Sequence, residues 1–276
     1  MPARMQKKEE PLRVFSWNVN GLRAAEKKGF IKWLDQSNAD IVGLQEVRAN
    51  ESQLSDQLRY PAAYHSHFVS AERKGYSGVG LFSRDCPSQV ESKLAHTEID
   101  AEGRLQLCSF GDMLVANGYF PNGNGKQRDN SRIPFKLEFY RLLRQRLQPQ
   151  LEADKPVIVM GDFNTAHHAI DIARPKQNKD TSGFRTEERE AFQEWIDAGW
   201  VDSFRQLNQE PEHYTWWSQR SGVREKNIGW RIDYILLSPA AAVHLETASI
   251  YPKVVGSDHC PIGVTLNRKV LQNQRS

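Results

Sequence analysis

Residues able to bind a metal ion or a phosphate group stand at the ends of several short apolar runs in this sequence. The run 14–17 leads into two asparagines, the run 41–44 into a glutamate, and the run 157–160 into an aspartate and an asparagine. Polar residues at strand ends commonly form only turns, but loops after central strands are also where a sheet positions functional groups. The repetition indicates a shared site, and its members are Asn18, Asn20, Glu46, Asp162, Asn164, Asp258 and His259.

The residue types of this set favour a hard cation and phosphodiester chemistry. Oxygen-rich ligands without cysteine select Mg²⁺ or Mn²⁺ over zinc. Such an ion binds a phosphoryl oxygen, while an aspartate activates water and Asn, His or Tyr donates hydrogen bonds to the phosphorus centre. The sequence has no G-x-S-x-G elbow, no GxxxxGK[ST] loop and no GxGxxG fingerprint. Acyl transfer, nucleotide-driven chemistry and NAD chemistry therefore lack support.

The apolar runs predict the strands that would position these residues. They cover residues 14–17, 41–44, 78–83, 105–110, 113–116, 157–160, 232–237 and 262–266. Apolar residues at helical spacing predict helices over 28–37, 134–151 and 186–198. Because strands outnumber helices and several are consecutive, we expect an α/β (α+β) fold of mixed sheets with helices outside, rather than a parallel βαβ array.

Length and composition predict one intracellular domain. The chain has 276 residues and a formal net charge of +3, and we expect a flexible polar tail over 1–12 and a single domain over 13–276. Its three cysteines are widely separated, which favours a reducing cytosol over a disulfide framework. The N-terminus lacks the apolar core of a signal peptide, and no run could span a bilayer. We therefore expect a cytoplasmic monomer with no membrane partner.

Basic residues cluster although the net charge is small. One cluster contains Lys126, Arg128, Arg132 and Lys136, and a second contains Arg220, Arg224, Lys226 and Arg231. A third basic segment contains Arg174, Lys176 and Lys179, and we expect it to be a mobile loop over 174–186. They are either solvated loop faces or local patches that hold a polyanion.

Six blocks of the sequence together resemble the exonuclease III family of abasic-site endonucleases, within the endonuclease/exonuclease/phosphatase superfamily. They are SWNVNGLRA (16–24), LQE (44–46), NGYFPNG (117–123), GDFN (161–164), GWRID (229–233) and GSDHCP (256–261). The wider superfamily shares GDxN and SDH, so the specificity comes from all six blocks in the family's order over nearly the whole chain. The resemblance implies a four-layered α/β sandwich of two mixed sheets with helices outside.

The same resemblance implies a Mg²⁺-dependent hydrolase of base excision repair, with Mn²⁺ as a substitute. A class II enzyme of this kind cleaves double-stranded DNA 5′ to an abasic site and leaves a 3′-hydroxyl. Family members add 3′-phosphatase, 3′-phosphodiesterase and 3′→5′ exodeoxyribonuclease activity on damaged 3′ ends, and DNA binding would associate the protein with a bacterial nucleoid.

Three alternatives stay open. The first is a 3′-end-specialised exonuclease or phosphatase of the same family with weak abasic-site cleavage. The second is another phosphodiesterase or phosphatase of the superfamily, for instance one acting on inositol phosphates or lipids. The third, a DNA-binding protein with a decayed site, is disfavoured because every catalytic position holds a competent residue.

Metal-binding roles follow from the resemblance motif by motif. Glu46 corresponds to the principal metal ligand, with Asn18 and Asn20 beside it and Asp258 serving the metal region. Some family members carry Asp in place of Asn20, which leaves open whether this residue is a direct ligand. The metal-binding set is completed by Asp162, Asn164 and His259.

Catalytic roles follow in the same way. Asp162 corresponds to the residue that orients and activates water, and Asn164 to a hydrogen-bond donor in the transition state. Tyr119 would contact the scissile phosphate in an ionisation state that the sequence leaves open. His259 would donate to a phosphoryl oxygen while Asp233 holds its ring.

The resemblance also implies a small apolar pocket for a sugar that has lost its base, since such a sugar leaves the duplex at little cost. Plain core aromatics are the alternative, and Phe184 is a further candidate for the pocket wall. The predicted DNA-binding residues, including the pocket, are Arg23, Asn122, Lys126, Arg128, Lys176, Trp216, Trp230, Arg231 and Ile232.

Two adjacent histidines follow the proposed catalytic asparagine. His167 and His168 either form hydrogen bonds within a turn or intrude on the sugar pocket. Intrusion would shift the preference from internal abasic sites toward damaged 3′ ends.

Overall fold

The strands of the protein follow the apolar runs of the sequence. The computed structural model describes residues 10–127 and 129–272. Its strands are β1 (Leu12–Asn18), β2 (Ile41–Gln45), β3 (His65–Val69), β4 (Val79–Ser83), β5 (Gln89–Glu91), β6 (Leu105–Phe110), β7 (Met113–Tyr119), β8 (Val157–Asp162), β9 (Val201–Asp202), β10 (Trp216–Trp217), β11 (Gly229–Trp230), β12 (Asp233–Leu237), β13 (Leu245–Ile250) and β14 (Ile262–Leu266). The predicted strands are all confirmed, with ends that shift by a few residues.

Helices lie between the strands. They are α1 (Leu22–Lys27), α2 (Phe30–Ser37), α3 (Asp56–Arg59), α4 (Thr97–Asp100), α5 (Ile133–Glu152), α6 (Pro175–Asn178), α7 (Thr186–Asp197), α8 (Ser203–Leu207) and α9 (Pro239–Ala242), with 3₁₀ turns at Glu51–Gln53, Ala169–Asp171 and Arg268–Leu271. The predicted helices correspond to α2, α5 and α7. The remaining helices were missed because one or two turns are too short to repeat a helical period.

Two mixed sheets organise the described residues. One has the strand order β13-β14-β1-β2-β4-β3, and the other has the order β5-β6-β7-β8-β12-β9. Each contains one parallel pair, β1 with β2 and β7 with β8, among antiparallel neighbours. A short antiparallel ribbon, β10-β11, lies outside both sheets. The edge strands β5 and β13 carry exposed polar residues, which hid them from a search for apolar runs.

The sheets pack face to face, and helices cover both outer faces. Side chains alternate along β8: Val157 and Val159 pack beneath α5 and α7, whereas Ile158 and Met160 face the other sheet. On the far side, α1 and α2 cover the first sheet through a third apolar cluster that includes Trp17. The predicted four-layered sandwich of two mixed sheets with helices outside is therefore confirmed.

Glycine at position 161 allows the central strands β7 and β8 to approach at the point where the acidic motif begins. Gly161 has φ +149°, and a Cβ there would lie 1.8 Å from the carbonyl oxygen of Gly118. No side chain fits in that space. The glycine of the GDFN block is therefore required for the strand pairing that places Asp162 beside β7.

Parts of the domain prediction lie outside the described residues. Residues 1–9 of the predicted tail are among them, and β1 begins at Leu12, inside the predicted tail. A single domain over 13–276 stays a prediction. Within the described ranges, no helix has the length and apolar composition needed to cross a membrane.

Candidate active site

Strand register brings three predicted residues side by side at one edge of the second sheet. Tyr119 on β7 pairs with Asp162 on β8, and Asp162 pairs with Asp233 on β12. In the first sheet, Asn18 ends β1 and Glu46 follows β2. The Asn18 amide Nδ2 donates to Glu46 Oε2 at 3.0 Å and to Asp162 Oδ2 at 2.8 Å. One asparagine thus joins the edges of both sheets, and it brings the two carboxylates together.

Three predicted site residues have left-handed backbones. The φ angles are 45° at Asn20, 59° at Glu46 and 51° at Asn164. This conformation costs a residue with a Cβ about 1–2 kcal/mol, and asparagine adopts it more readily than glutamate. Glu46 is held there because its carbonyl accepts the Gly21 N–H at 2.8 Å. Each bend turns the chain away from its strand just where a functional side chain is required.

Asp162 is a buried carboxyl group surrounded by hydrogen-bond donors. Its Oδ1 accepts the Asn164 backbone N–H at 2.8 Å, and its Oδ2 accepts the Asn164 Nδ2 at 3.1 Å. Burial, together with the charge of Asp233, raises the pKa of Asp162 to about 7. A carboxylate with a pKa near neutrality is suited to act as a general base.

His259 lies between Asp162 and Asp233. Its Nδ1 is 2.9 Å from Asp233 Oδ2, which also accepts the Thr215 Oγ1 hydroxyl at 2.6 Å, and its Nε2 is 3.9 Å from Asp162 Oδ2. Burial opposes the charged ring, but Asp233 and two further aspartates outweigh it and raise the pKa of His259 to about 10. An imidazolium donates from both nitrogens, so Nε2 is a donor toward the site while Nδ1 is held.

Asp258 is anchored by two donors on opposite sides. Asn20 Nδ2 donates to its Oδ1 at 2.8 Å, and Trp216 Nε1 donates to its Oδ2 at 3.1 Å. Burial opposes its ionisation, but the charge of His259 and these hydrogen bonds hold the pKa of Asp258 below its usual range. Asn20 therefore contacts Asp258 directly, and whether either residue binds a metal stays a prediction.

Tyr119 presents a neutral phenol to the site. Burial, reinforced by the charge of Glu46, raises the pKa of Tyr119 well above its ordinary value of 10.0. The Arg104 guanidinium lies 4.6 Å from the ring centroid and opposes this shift without reversing it. The protonation state that the sequence left open is therefore the protonated one in this structure, and the phenol can donate a hydrogen bond.

Two neighbouring groups of side chains meet the requirements of a metal site to different degrees. Ligand atoms of Asp162, Asp233 and His259 lie within 4.8 Å of one another and could hold a metal ion. His259 is a poor ligand, however, because Asp233 holds its Nδ1 and its raised pKa keeps the ring protonated. Glu46 and Asp162, joined by the Asn18 amide, offer carboxylate oxygens and fit a hard divalent ion better, with the Arg48 guanidinium paired to the outer oxygen of Glu46.

The predicted site residues surround a cleft with a volume of about 310 Å³. The predicted metal-binding and catalytic residues that line it are Asn20, Glu46, Tyr119, Asp162, Asn164, Asp258 and His259. Asn18 and Asp233 lie buried behind them. The predicted pocket residues Trp216, Trp230 and Ile232 line the same cleft together with the segment Thr181–Gly183, so the apolar wall adjoins the polar centre.

Phe184 and the two histidines lie outside the cleft. Phe184 packs behind it against Ile232, beneath the Arg189 guanidinium. His167 is buried, its Nε2 lies 2.9 Å from Gln193 Oε1, and its ring packs 4.5 Å from Phe192. His168 is exposed at the start of the Ala169–Asp171 turn. The predicted hydrogen bonding within a turn holds for His168, whereas the His167 ring bonds instead to Gln193 of α7, and neither histidine lines the cleft.

The other predicted DNA-binding residues divide into exposed and buried. Asn122 lines the cleft, where its Nδ2 donates to Asn164 Oδ1 at 3.0 Å. Arg23 lines an adjacent hollow, and Lys126 and Lys176 are exposed. Arg128 lies outside the described residues.

Arg231 requires a correction. Its side chain is 1% exposed, its Nε contacts Asp171 at 2.7 Å, and its Nη2 contacts Asp202 at 2.7 Å. The guanidinium also packs over the Tyr234 ring. A cation that is buried and paired twice ties loops together and does not reach DNA, so the predicted DNA contact is wrong.

The basic clusters are likewise partly structural. Lys136 is fully buried against Glu188, and Arg132 pairs with Glu102 at 2.8 Å. Arg224 donates to the carbonyls of Ser257, Pro252 and Val254, which braces the loop before Asp258. The expected mobile loop over 174–186 contains the helix α6. Sequence proximity therefore overestimated the basic surface.

Sequence reasoning missed two residues in direct contact with the site. Arg48 pairs with the Glu46 carboxylate and lines the cleft, and it lies only two positions after a predicted ligand. Thr215 donates to Asp233 and accepts the Asp233 backbone N–H at 3.1 Å. Arg48 could have been found by its position beside the LQE block. Thr215 directly precedes the predicted pocket residue Trp216, and only the fold reveals its contact with Asp233.

Comparison with known sequences agrees with this geometry. The endonuclease/exonuclease/phosphatase family matches residues 15–259. The chain is 41% identical over 258 residues to an exodeoxyribonuclease of Bacillus subtilis, covering 93% of this chain and 100% of that protein. It is 35% identical to a DNA-(apurinic or apyrimidinic site) endonuclease of Dictyostelium discoideum, covering 94% of this chain and 72% of the relative.

Solved structures with the same architecture include an AP endonuclease from Archaeoglobus fulgidus, with a TM-score of 0.84 and 26% identity over 93% of this chain and 99% of the other. A 3′ phosphatase from Neisseria bound to a product DNA hairpin gives a TM-score of 0.84 and 25% identity, over 92% and 99% of the two chains. The motif blocks, the fold and these relatives agree: the chain belongs to the endonuclease/exonuclease/phosphatase family.

Proposed function

We propose that the protein is a Mg²⁺-dependent DNA repair nuclease that cleaves duplex DNA 5′ to abasic sites and leaves a 3′-hydroxyl. On damaged 3′ ends it would act as a 3′-phosphatase, 3′-phosphodiesterase and 3′→5′ exonuclease. The observation that carries the proposal is one cleft in which Asp162 and the His259–Asp233 pair adjoin an apolar wall. The relatives named exodeoxyribonuclease and AP endonuclease support it.

Glu46 and Asp162 are the residues that would hold the cation, because the Asn18 Nδ2 brings their carboxylate oxygens together and the pair includes no cysteine or histidine. The Asn18 Oδ1 accepts the Asn20 backbone N–H at 2.9 Å, so Asn18 would support these carboxylates, and its role as a direct ligand stays a prediction. When bound, Mg²⁺ or Mn²⁺ would neutralise charge on the phosphoryl oxygens and on the leaving oxygen. Of the four remaining metal-set predictions, Asn20 and Asp258 contact each other in the neighbouring part of the cleft, and Asn164 and His259 would act as hydrogen-bond donors.

The protein's own groups would supply the proton transfer and the hydrogen bonds of phosphodiester hydrolysis. The Asp162 carboxylate accepts the proton of the attacking water, and its fixed hydrogen bonds orient it. The protonated His259 Nε2 and the neutral Tyr119 phenol would donate to oxygens on which charge develops. Asn164 Nδ2 donates to the Phe120 carbonyl and to Asp162, and it would join them by exchanging one of these bonds for one to the substrate. Asp233 keeps the His259 ring oriented and charged.

The apolar wall would select the substrate. A baseless sugar leaves the helix at little cost and would fit beside Trp216, Trp230 and Ile232, whereas a normal nucleotide must first be unpaired and unstacked. His167 and His168 do not narrow this space. The absence of that intrusion favours internal abasic sites over a specialisation for 3′ ends.

DNA contacts outside the pocket are assigned to exposed groups. Arg23, Asn122, Lys126 and Lys176 would hold phosphates on either side of the lesion. A monomeric state and a cytoplasmic, nucleoid-associated location stay predictions, which light scattering and cell fractionation would test.

The deciding experiment uses a duplex that contains one abasic analogue, incubated with Mg²⁺ or with EDTA. We expect a single cut 5′ to the lesion with Mg²⁺, and none with EDTA or on the matched undamaged duplex. Removal of a 3′-phosphate is measured at equal enzyme concentration to rank the two activities. Activity on soluble phosphoesters such as inositol phosphates, with no cut in this duplex, would refute the proposal.

A further inference from the structure

Lys136 on α5 and Glu188 on α7 form an ion pair with no solvent exposure. Both side chains are 0% exposed, and Lys136 Nζ lies 2.6 Å from Glu188 Oε1. Residues Phe139, Tyr140 and Leu143 of α5 are also buried, so this lysine occupies the apolar stripe of its helix. A buried ion pair is seldom more stable than apolar side chains of similar volume. Stability alone therefore gives no reason for charges at this position.

Each member of the pair contacts backbone that lines the cleft. Lys136 Nζ donates to the Asn164 carbonyl at 2.6 Å. Glu188 accepts the Gly183 N–H at 2.6 Å and the Ser182 hydroxyl at 2.9 Å. These two segments, one after β8 and one before α7, face the site from different parts of the chain. The ion pair links them, alongside the backbone hydrogen bond that the Ala166 N–H donates to the Gly183 carbonyl at 2.8 Å.

The two segments pack closely, so a small displacement of Gly183 would be transmitted to Asn164. A Cβ built on Gly183 would lie 3.0 Å from both the Asn164 carbonyl and the Trp230 ring. Asn164 itself is held at φ 51°, a conformation that needs support from its surroundings. The lysine supplies that support at the Asn164 carbonyl, while the side-chain amide of the same residue points to Asp162.

We infer that Lys136 and Glu188 are positioning residues, which fix the Asn164 peptide against the Ser182–Gly183 wall. They thereby hold the Asn164 side-chain amide against the Phe120 carbonyl and the Asp162 carboxylate, at 2.9 and 3.1 Å. This inference rests on the proposed function. The pair lies behind the cleft and contacts Asn164 only through its backbone carbonyl, so its removal acts on turnover through Asn164 rather than on DNA affinity. A displacement near 1 Å at such a donor costs up to about 100-fold in rate.

Two variants separate positioning from stability. Lys136→Met leaves an unpaired buried carboxylate, so the melting temperature falls steeply. Lys136→Met/Glu188→Gln removes both charges but keeps an acceptor for the Gly183 N–H, so we expect the melting temperature to recover. The Asn164 carbonyl still lacks its donor in the double variant. We therefore expect kcat on an abasic duplex to stay about 10- to 100-fold down, with KM and DNA affinity within about twofold.

The matched control is the surface ion pair between the same two helices. Arg144 and Glu194 lie 2.6 Å apart and are partly exposed. Arg144→Gln/Glu194→Gln should leave kcat, KM and the melting temperature close to wild type. If the buried double variant regains both melting temperature and wild-type kcat, the pair serves stability only and the inference is overturned.

A substrate-free measurement keeps this inference separate from the proposed function. The Asn164 side-chain amide resonance should shift in the ¹⁵N–¹H spectrum of the buried double variant and not in that of the surface control. Wild type that fails to cut the abasic duplex would refute the proposed function, and the resonance would then decide the positioning inference alone. An unmoved resonance would overturn it.

Discussion

Asp233→Asn is the substitution that tests the His259–Asp233 pair most directly. Asp233 Oδ2 lies 2.9 Å from His259 Nδ1, and its charge is the largest of those that raise the pKa of His259 to about 10. Asparagine preserves the size of the side chain and removes the charge. In a comparable carboxylate–imidazole arrangement of a serine protease, the same substitution lowers kcat by about 10⁴-fold. We expect kcat to fall by about 10²- to 10⁴-fold here, since His259 donates a hydrogen bond from a protonated nitrogen rather than acting as the base.

The pH dependence provides the sharper signature. Wild-type activity requires protonated His259 and ionised Asp162, so it should fall as pH rises through about 10 and fall as pH drops below about 7. Without Asp233, the pKa of His259 moves down toward its ordinary value of 6.5. Asp233 also raises the pKa of Asp162, so the acid limb moves down as well. A bound cation lowers the pH of the acid limb, which Asp162 sets, in both wild type and Asp233→Asn. The difference in acid limb between the two proteins therefore persists.

Stability should depend on pH in the same direction as the alkaline limb of activity. A histidine whose folded-state pKa is raised stabilises the fold fully below pH 6.5, and that contribution is lost as pH rises through about 10. Asp233→Asn should therefore flatten the decline of the melting temperature across this range.

The assay is single-turnover cleavage of an abasic duplex at saturating enzyme from pH 5 to 11, for wild type, Asp233→Asn, His259→Gln and the double variant. If His259 is the group that Asp233 serves, Asp233→Asn changes little in the His259→Gln background, since the two residues act as a unit. An unmoved alkaline limb in Asp233→Asn, or effects of the two substitutions that simply multiply, would refute the reasoning.

Five further outcomes follow from the site. Asp162→Asn should reduce single-turnover cleavage by about 10²- to 10⁴-fold with DNA affinity unchanged in a filter-binding assay, and cutting at the normal rate would contradict its role as base. Glu46→Ala should abolish turnover and weaken cation binding in calorimetry, whereas an unchanged isotherm would place the metal elsewhere. DNA affinity should fall steeply with added salt, and Lys176→Gln should reduce the slope of log affinity against log salt concentration by about 1. A flat salt response would exclude the basic residues as phosphate contacts. Arg231→Met should instead lower the free energy of unfolding by about 3–5 kcal/mol in a urea titration. Trp230→Ala should impair abasic-site cleavage at least about tenfold more than 3′-phosphate removal, and equal losses in the two assays would remove it from the sugar pocket.

Local sequence anticipated the parts of the site that depend on strand ends. Asp162 and Asn164 follow an apolar run that alternates between two buried faces, and Glu46 follows another. A strand of this kind places the residue after it at a sheet edge, whatever else the chain does. The six motif blocks, in their order along the chain, then indicated that these strand ends belong to one site. The resemblance supplied the pairing of His259 with Asp233.

Side-chain direction after a turn was beyond the same reasoning. Arg231 stands between β11 and β12, and its neighbours Trp230 and Ile232 line the cleft. Arg231 itself turns inward because Asp171 and Asp202, from remote parts of the chain, satisfy its charge. A basic residue beside pocket residues reads as a DNA contact until the buried partners are seen.

The sequence by itself thus determined which residues are candidates for the chemistry, because strand periodicity and the motif blocks are local properties of the chain. Tertiary structure decided how those residues are held. Lys136 could have been noticed as a charge on the apolar stripe of α5, but nothing local names Glu188 as its partner or Asn164 as its target. Buried charges and hydroxyls such as Thr215 are placed by long-range partners, since an unpaired polar group in the interior costs too much to persist.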